Sequence, residues 1–209
     1  MNIRADLVND TTLSPNAKMI FCFMQMYLRG DTPAIERTFH KADVIFEMTG
    51  RATPNNRDWL VFNNGYKELL ERGYIFAYDI KNSFYINTQI SFESNQWVLV
   101  DGDALKKIVR SKIRSRAKVV ALYLRICATL PNHWKKNKRQ PSAAYYSQDR
   151  LAKEVGIDVQ SVGRFWKRLD EMEIIYTYHN RPKMTNTYGF YCDRDYVDQI
   201  GRRRDERSD

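Results

Sequence analysis

The chain has 209 residues, 34 Lys+Arg against 25 Asp+Glu, a formal net charge of +9 and a sequence pI near 9.4. It contains no apolar run long enough to span a membrane, no signal peptide is expected, and Cys22, Cys127 and Cys192 are odd in number and far apart, with neither metal-ligand spacing nor a disulfide framework. The expectation is a cytoplasmic protein in which each cysteine is a small buried apolar residue. Charge is uneven: residues 1–100 carry 10 Lys+Arg and 11 Asp+Glu, residues 101–209 carry 24 and 14. Polyanion binding is therefore expected of the second half, with nucleic acid a better partner than anionic lipid.

In chain order, residues 2–9 show no firm pattern. Ser14 caps and Pro15 opens a helix whose residues 16–28 are apolar almost all round, the signature of a core helix or a partner-facing one. Gly30 ends it, and 31–38 reads as a loop. A second helix over 40–48 turns Val44, Ile45 and Met48 inward and stops at Gly50. A connector leads to a third helical stretch over 57–72, with Asn64-Gly65 a candidate break and Gly73 its stop. Strands over 74–78 and 84–88 enclose a short turn, and 91–95 is a linker. A strand over 97–100 follows. Asp101 caps a helix with Leu105, Ile108 and Val109 inward. The run from Lys106 to Lys118, including Lys112, Arg114 and Arg116, holds no acidic residue. It reads either as a solvated face or as a surface that tracks phosphates beside a recognition helix. An apolar helix over 117–130 leads into a basic loop over 132–141.

The stretch 146–175 organises the rest. Ser147 caps a short helix with Leu151, Ala152 and Val155 on one side, and Gly156 stops it. Asp158 caps a second helix with apolar positions Val162, Phe165, Trp166, Leu169 and Met172. Gln160, Ser161, Arg164, Lys167 and Arg168 occupy its other faces. Two helices around a tight glycine turn, the second basic outside, make a helix-turn-helix, in which the N-terminal residues of the second helix reach base edges in the DNA major groove. An ordinary helical hairpin is the bland alternative. Strands over 174–179 and 187–192 follow, joined by a polar loop with Arg181 and Lys183. Helix, helix and hairpin in that order make a winged helix, the loop being the wing. Residues 196–209 read as a polar tail with a frayed helix through Arg202-Arg203-Arg204.

The halves repeat at an offset of one hundred residues. Ala17-Lys18 matches Ala117-Lys118, Tyr66-Lys67 matches Trp166-Lys167, Leu69 matches Leu169 and Ile75 matches Ile175. The expected fold is α+β, mainly helical: two tandem winged-helix domains over 1–92 and 96–195, then the tail 196–209, with the 97–100 strand opening the second domain. The first copy has Leu60, Val61 and Asn64 where the second has Gln160, Ser161 and Arg164. Asn55 and Asn56, with Asn63 and Asn64, either read adenine edges or are polar turn residues. The first domain is thus as readily a dimerisation or partner module as a DNA reader.

No phosphate-binding G-x-x-x-x-G-K-[ST] loop is present, and His40, His133 and His179 are isolated. Tyr145-Tyr146 reads as packing rather than as a nucleophile, and no paired carboxylates suit a two-metal nuclease. No enzyme, metal or cofactor is expected.

Leu13-Ser14 with Ala17-Lys18 and an apolar helix, followed by two winged-helix units, resembles the replication initiators of bacterial plasmids and the related replisome organisers of phages. That resemblance implies binding of double-stranded DNA at repeated origin sites, with Gln160, Ser161, Arg164 and Lys167 at base edges and phosphates. Self-association is expected of the first domain from its near-zero charge and its apolar Leu60 and Val61, and with no ATPase motif such a protein would have to recruit a helicase or helicase loader. A transcription regulator of a mobile element and an assembly adaptor are the alternative readings.

Overall fold

A computed structural model describes residues 1–27, 41–78, 83–86, 97–131, 134–136 and 138–207. The expected loop at 31–38, the turn at 79–82, the linker at 91–95, and Gly30, His40 and His133 lie outside them. The described residues are mainly helical with small antiparallel sheets, and none of their helices is long and apolar enough to cross a membrane. The chain divides into two compact units, 1–121 and 122–209.

Unit 1 begins with β1 (Asn2–Arg4) and α1 (Ala5–Asn9), then α2 (Pro15–Tyr27), α3 (Lys41–Thr49) and α4 (Asn56–Glu71). A hairpin of β2 (Ile75–Tyr78) and β3 (Ser83–Ile86) follows, then β4 (Trp97–Leu99) and α5 (Gly102–Arg110). Ser14 Oγ accepts from the Ala17 N–H at 3.2 Å at the start of α2, and Asp101 accepts from the Asp103 N–H at 2.9 Å at the start of α5. Both ends are as expected of cap residues, which satisfy otherwise orphaned first-turn donors. The core gathers Ile20, Phe21, Phe23 and Met24 of α2, Val44 and Ile45 of α3, and Phe62 and Leu69 of α4, all essentially inaccessible. Each such side chain contributes about 1.5–3 kcal/mol by burial. Among them lies Lys18, whose ammonium donates to the Val8 carbonyl at 2.8 Å.

α4 is continuous through Asn64-Gly65. Gly65 does not break the helix; it lets α2 and α4 approach. A Cβ there would stand 3.1 Å from Ala17 Cα and closer still to Ile20 Cδ1.

The strand at Trp97 lies elsewhere than its place in the sequence suggests. It does not open the second half: β4 pairs antiparallel with β1, Ile3 opposite Val98, and the Met1 amino group donates to the Val100 carbonyl at 2.6 Å. α5 packs on α3, where Glu47 meets Lys106 at 3.0 Å and Arg110 at 3.6 Å. The basic run at 106–118 therefore belongs to unit 1 and finds part of its counter-charge 59 residues upstream of Lys106. With the division at 121, unit 1 holds 17 Lys+Arg against 13 Asp+Glu and unit 2 holds 17 against 12, so the charge is shared almost evenly.

α6 (Arg116–Thr129) begins in unit 1 and runs into unit 2. Unit 2 continues with a two-stranded ribbon, β5 (Trp134–Lys135) and β6 (Lys138–Arg139), then α7 (Gln148–Val155), α8 (Val159–Glu171), β7 (Ile175–Tyr178) and β8 (Thr187–Phe190). A 3₁₀ turn at Tyr191–Asp193 leads into α9 (Arg194–Glu206). Leu122, Leu124 and Ile126 of α6, Leu151 of α7, Val162, Trp166 and Leu169 of α8, and Ile175 and Tyr188 of the hairpin are buried in its core.

The segment expected as a frayed tail is instead an ordered helix. α9 packs on both β7 and β8, with Val197 fully buried and Gly201 flat against the Tyr178 ring. Cys22 and Cys127 are buried as expected, but Cys192 is exposed in the 3₁₀ turn. Asp193, next to it, is buried and takes a two-pronged bond from Arg139 at 2.6 and 2.8 Å plus the Ser142 N–H at 3.1 Å.

The one-hundred-residue repeat extends to backbone geometry. α4 closes with Arg72 N–H to Glu68 O, Gly73 N–H to Leu70 O and Tyr74 N–H to Leu69 O, at 3.1, 3.0 and 2.9 Å. α8 closes with Met172 to Arg168, Glu173 to Asp170 and Ile174 to Leu169, at 3.0, 2.8 and 3.0 Å. Gly73 has φ 70° and Glu173 φ 54°, so the left-handed residue of this closure recurs even where a glycine does not. Each closure feeds a two-stranded antiparallel hairpin.

Candidate nucleic-acid interface

α7, the turn at Gly156 and α8 form from local chemistry. Ser147 Oγ accepts from Arg150 N–H at 3.2 Å. Gly156 adopts φ 72°, ψ 38°, and its N–H and that of Ile157 both reach the Ala152 carbonyl, at 2.9 and 3.1 Å. Asp158 then caps α8, accepting from the Ser161 N–H at 2.7 Å. α8 buries Val162, Trp166 and Leu169, while Phe165 is half-buried. Trp166 Nε1 donates to Thr177 Oγ1 at 2.8 Å, which ties the inner face of the helix to β7.

Gln160, Arg164, Lys167 and Arg168 are exposed on α8. Ser161 is not: it is 7% exposed, donates its hydroxyl to Asp158 Oδ2 at 2.6 Å and accepts from Arg164 Nη2 at 2.9 Å. The expectation that Ser161 meets a base edge is therefore corrected. Its hydroxyl completes the cap, because the third residue of a capped helix lies over the capping carboxylate. Hydrogen bonds from the Ser161 hydroxyl and then its N–H, with the charge of Arg164 adding, hold the Asp158 carboxyl below its ordinary value. The chain of Asp158, Ser161 and Arg164 pre-orients a guanidinium at the exposed start of α8.

Arg181 and Lys183 are exposed in the loop 179–186 that joins β7 to β8, and Lys183 sits at φ 74°. A groove of about 700 Å³ runs between the start of α7, α8 and this loop, lined by Gln148, Gly163, Lys167, His179, Lys183 and Asn186 over Trp166 and Tyr188. Lys167 and Lys183, 16 residues apart in sequence, thus border one concave surface.

The loop is held by α9, which sequence reasoning missed. Arg204 donates to the Thr185 carbonyl and to Thr187 Oγ1, both at 2.8 Å, and its guanidinium covers the exposed Tyr145 ring at 4.1 Å. Asp205 accepts from Asn180 Nδ2 and the Arg181 N–H at 3.0 Å each, and from Tyr178 Oη at 3.1 Å. The available signal was Val197 and Gly201 four residues apart, one apolar and one small position on a single helix face. Beneath α7, Arg125 and Arg150 both bond Glu154, at 2.6 and 3.0 Å, and Tyr146 lies under the Arg150 guanidinium at 4.2 Å. Tyr145 and Tyr146 thus pack against arginines.

The remaining expected contacts lie in unit 1. Asn55 caps α4: its Oδ1 accepts from the Asp58 N–H at 2.9 Å while Asp58 accepts from the Asn55 N–H at 3.1 Å, a reciprocal capping box. That occupies the carbonyl that reading an adenine would need, which favours the turn-residue reading for Asn55. Asn56 is exposed in the first turn of α4, and Lys112, Arg114 and Arg116 are exposed around the start of α6. Arg114, Arg116 and Asn55 border one cleft; Lys112 and Asn56 do not line it. Leu60, on the outer face of α4, is 60% exposed.

No protein-family model, curated protein or solved structure matches this chain.

Proposed function

We propose that the chain is a sequence-specific double-stranded DNA-binding protein whose unit 2 acts as a winged helix. In this reading α8 enters the major groove, with Arg164 and Gln160 at base edges and Lys167 and Arg168 toward phosphates. The 179–186 loop is the wing, with Arg181 and Lys183 on the backbone. The observation that carries it is the outer face of α8, cationic and exposed, beside a hairpin loop whose cations are exposed as well. Support also comes from Arg164, which is ordered by Ser161 before any ligand arrives, so less side-chain entropy is lost on binding.

The biological role we propose is a replication initiator or organiser of a plasmid or phage that occupies repeated origin sites. The repeated helix closures and hairpins support a tandem winged-helix chain, unit 1 holding the first copy. Unit 1, through the exposed Leu60 face, would link neighbouring copies on DNA, and linkage raises the effective concentration at the next site. Processive opening would then need a recruited helicase or helicase loader.

The test is a footprint on the DNA flanking the gene, followed by a minimal plasmid with this gene and that DNA as its sole replication source. Protection of direct repeats and loss of replication with Arg164→Ala are expected. Protection of a promoter palindrome, with replication indifferent to Arg164→Ala, would replace this role with that of a transcription regulator.

A further inference from the structure

Unit 1 contains a cleft of about 910 Å³ among the N-terminal ends of α2, α4 and α6 and the C-terminal ends of α3 and α5. Five cations line it, Arg51, Arg57, Arg114, Arg116 and Lys118, against one carboxylate, Asp58. That carboxylate is committed to the fold: it takes the Arg51 guanidinium at 2.8 Å and closes the capping box of α4. Among the described residues no ion pair neutralises Arg57, Arg114, Arg116 or Lys118, and all four are exposed. The same basic run treats its first half differently, since Lys106 and Arg110 are matched by Glu47. The half that borders the cleft is left uncompensated.

Further features point the same way. Ser115, between Arg114 and Arg116, holds a left-handed φ of 59°, a conformation a non-glycine residue keeps only where its surroundings impose it. The first turn of α6 carries no acidic residue, and the free N–H groups at helix starts add partial positive charge to the side-chain charge. The floor is apolar, made by Met19, Met48, Val61, Val109 and Ile113. The volume is that of a small-ligand pocket. No aromatic ring appears among the described lining residues, so the stacking platform on which a single strand lays successive bases is missing.

We propose that this cleft binds a nucleoside polyphosphate, its phosphates on Arg57, Arg114, Arg116 and Lys118 and its base and sugar over the methionine floor. The chemistry required is a compact, multiply charged phosphate joined to a body with a flat face that can lie on thioether and aliphatic side chains. The site is lined by residues of unit 1 alone, so the proposal does not depend on how α8 of unit 2 is used.

The test is a fluorescence titration of the full chain with N-methylanthraniloyl ATP and GTP, with unlabelled ATP, pyrophosphate and a short single-stranded oligonucleotide as competitors. Saturable one-to-one binding is expected, displaced by ATP and by pyrophosphate. The double variant Arg114→Ala/Arg116→Ala weakens it at least tenfold with an unchanged ligand-free melting temperature, while Arg203→Ala on α9 and Arg164→Ala on α8 leave it intact. Three results would overturn the proposal: no saturation, equal weakening by Arg203→Ala, or displacement by the oligonucleotide but not by ATP. The last would make the cleft a strand channel. Because Arg164 lies on α8 of unit 2 and does not line the cleft, the two functional readings fail separately.

Discussion

Asp205 accepts the backbone N–H of Arg181 at 3.0 Å, so the C-terminal helix fixes the first residues of the loop between β7 and β8. The same carboxylate takes Asn180 Nδ2, while the adjacent Arg204 bonds Thr185 and Thr187 across the loop. Asp205→Ala should therefore loosen the loop without removing any group that faces DNA. We expect DNA affinity to fall several-fold for all sequences alike, with faster amide exchange in 180–186, and no change in site preference. A change of preferred bases would show that α9 does more than brace.

Gly201 and Gly65 make a paired test of close packing. A Cβ at Gly201 would overlap the Tyr178 ring, and one at Gly65 would meet Ile20 and the Ala17 backbone. Each Gly→Ala change should cost about 1–3 kcal/mol by overpacking, despite the better helix propensity of alanine. At Gly163 the nearest atom is Gln148 Oε1 at 3.5 Å. Gly163→Ala should therefore be neutral or stabilising, by up to about 1 kcal/mol. Urea unfolding of the three variants decides the order.

Arg164→Ala should cost about 1–3 kcal/mol of specific affinity and relax one base position, since arginine forks onto guanine O6 and N7. Lys183→Ala should weaken every sequence equally. Binding measured on a library of single-base variants separates the two patterns, and wild-type behaviour of Arg164→Ala would remove α8 from the major groove.

DNA binding by the whole chain should weaken steeply with salt. Six or more neutralised phosphates give a log–log slope of about −5 or steeper. Fluorescence anisotropy over a salt series reads the slope directly, and a flat response would end the electrostatic argument.

Acid should loosen unit 2 through identifiable carboxylates. Burial raises Glu154, but the hydrogen bonds and charges of Arg125 and Arg150 outweigh it and hold it below its ordinary value. Asp205 is lowered by the bond from Asn180 and then that from the Arg181 N–H. Groups with depressed folded values contribute stability that is complete above their unfolded values and lost as pH falls through the folded ones. Asp170 has the opposite sign: burial raises it, only partly offset by His179, so its contribution is lost as pH rises through the raised value. Denaturation between about pH 3 and pH 7 should show Glu154→Gln flattening the acid limb and Asp170→Asn raising stability at the neutral end.

The sequence by itself determined what neighbours along the chain can settle. Ser14, Asp101, Ser147 and Asp158 cap the helices they were expected to cap, and Gly50, Gly73 and Gly156 stop helices at positive φ. These are contacts within a few residues, so residue type and spacing suffice. Helix periodicity likewise placed Val162, Trp166 and Leu169 inside and Gln160 and Arg164 outside.

Only tertiary structure decided the rest, because each remaining feature joins residues far apart in sequence. β1 pairs with β4 across more than ninety residues and draws the 97–110 segment into unit 1. Glu47 pairs with two of the seven cations in a run that looks unpaired when read along the chain. Gly65 reads as a helix breaker until Ala17 is set against it. Ser161 is the exception, for it lies three residues from Asp158 and its place in the cap is a local one. The polar tail holds few apolar residues, yet Val197, Gly201, Arg204 and Asp205 fall on the one helix face that the hairpin of unit 2 can meet. Capping and periodicity are local and leave a trace in spacing, whereas charge pairing and close approach are set by the fold and leave none.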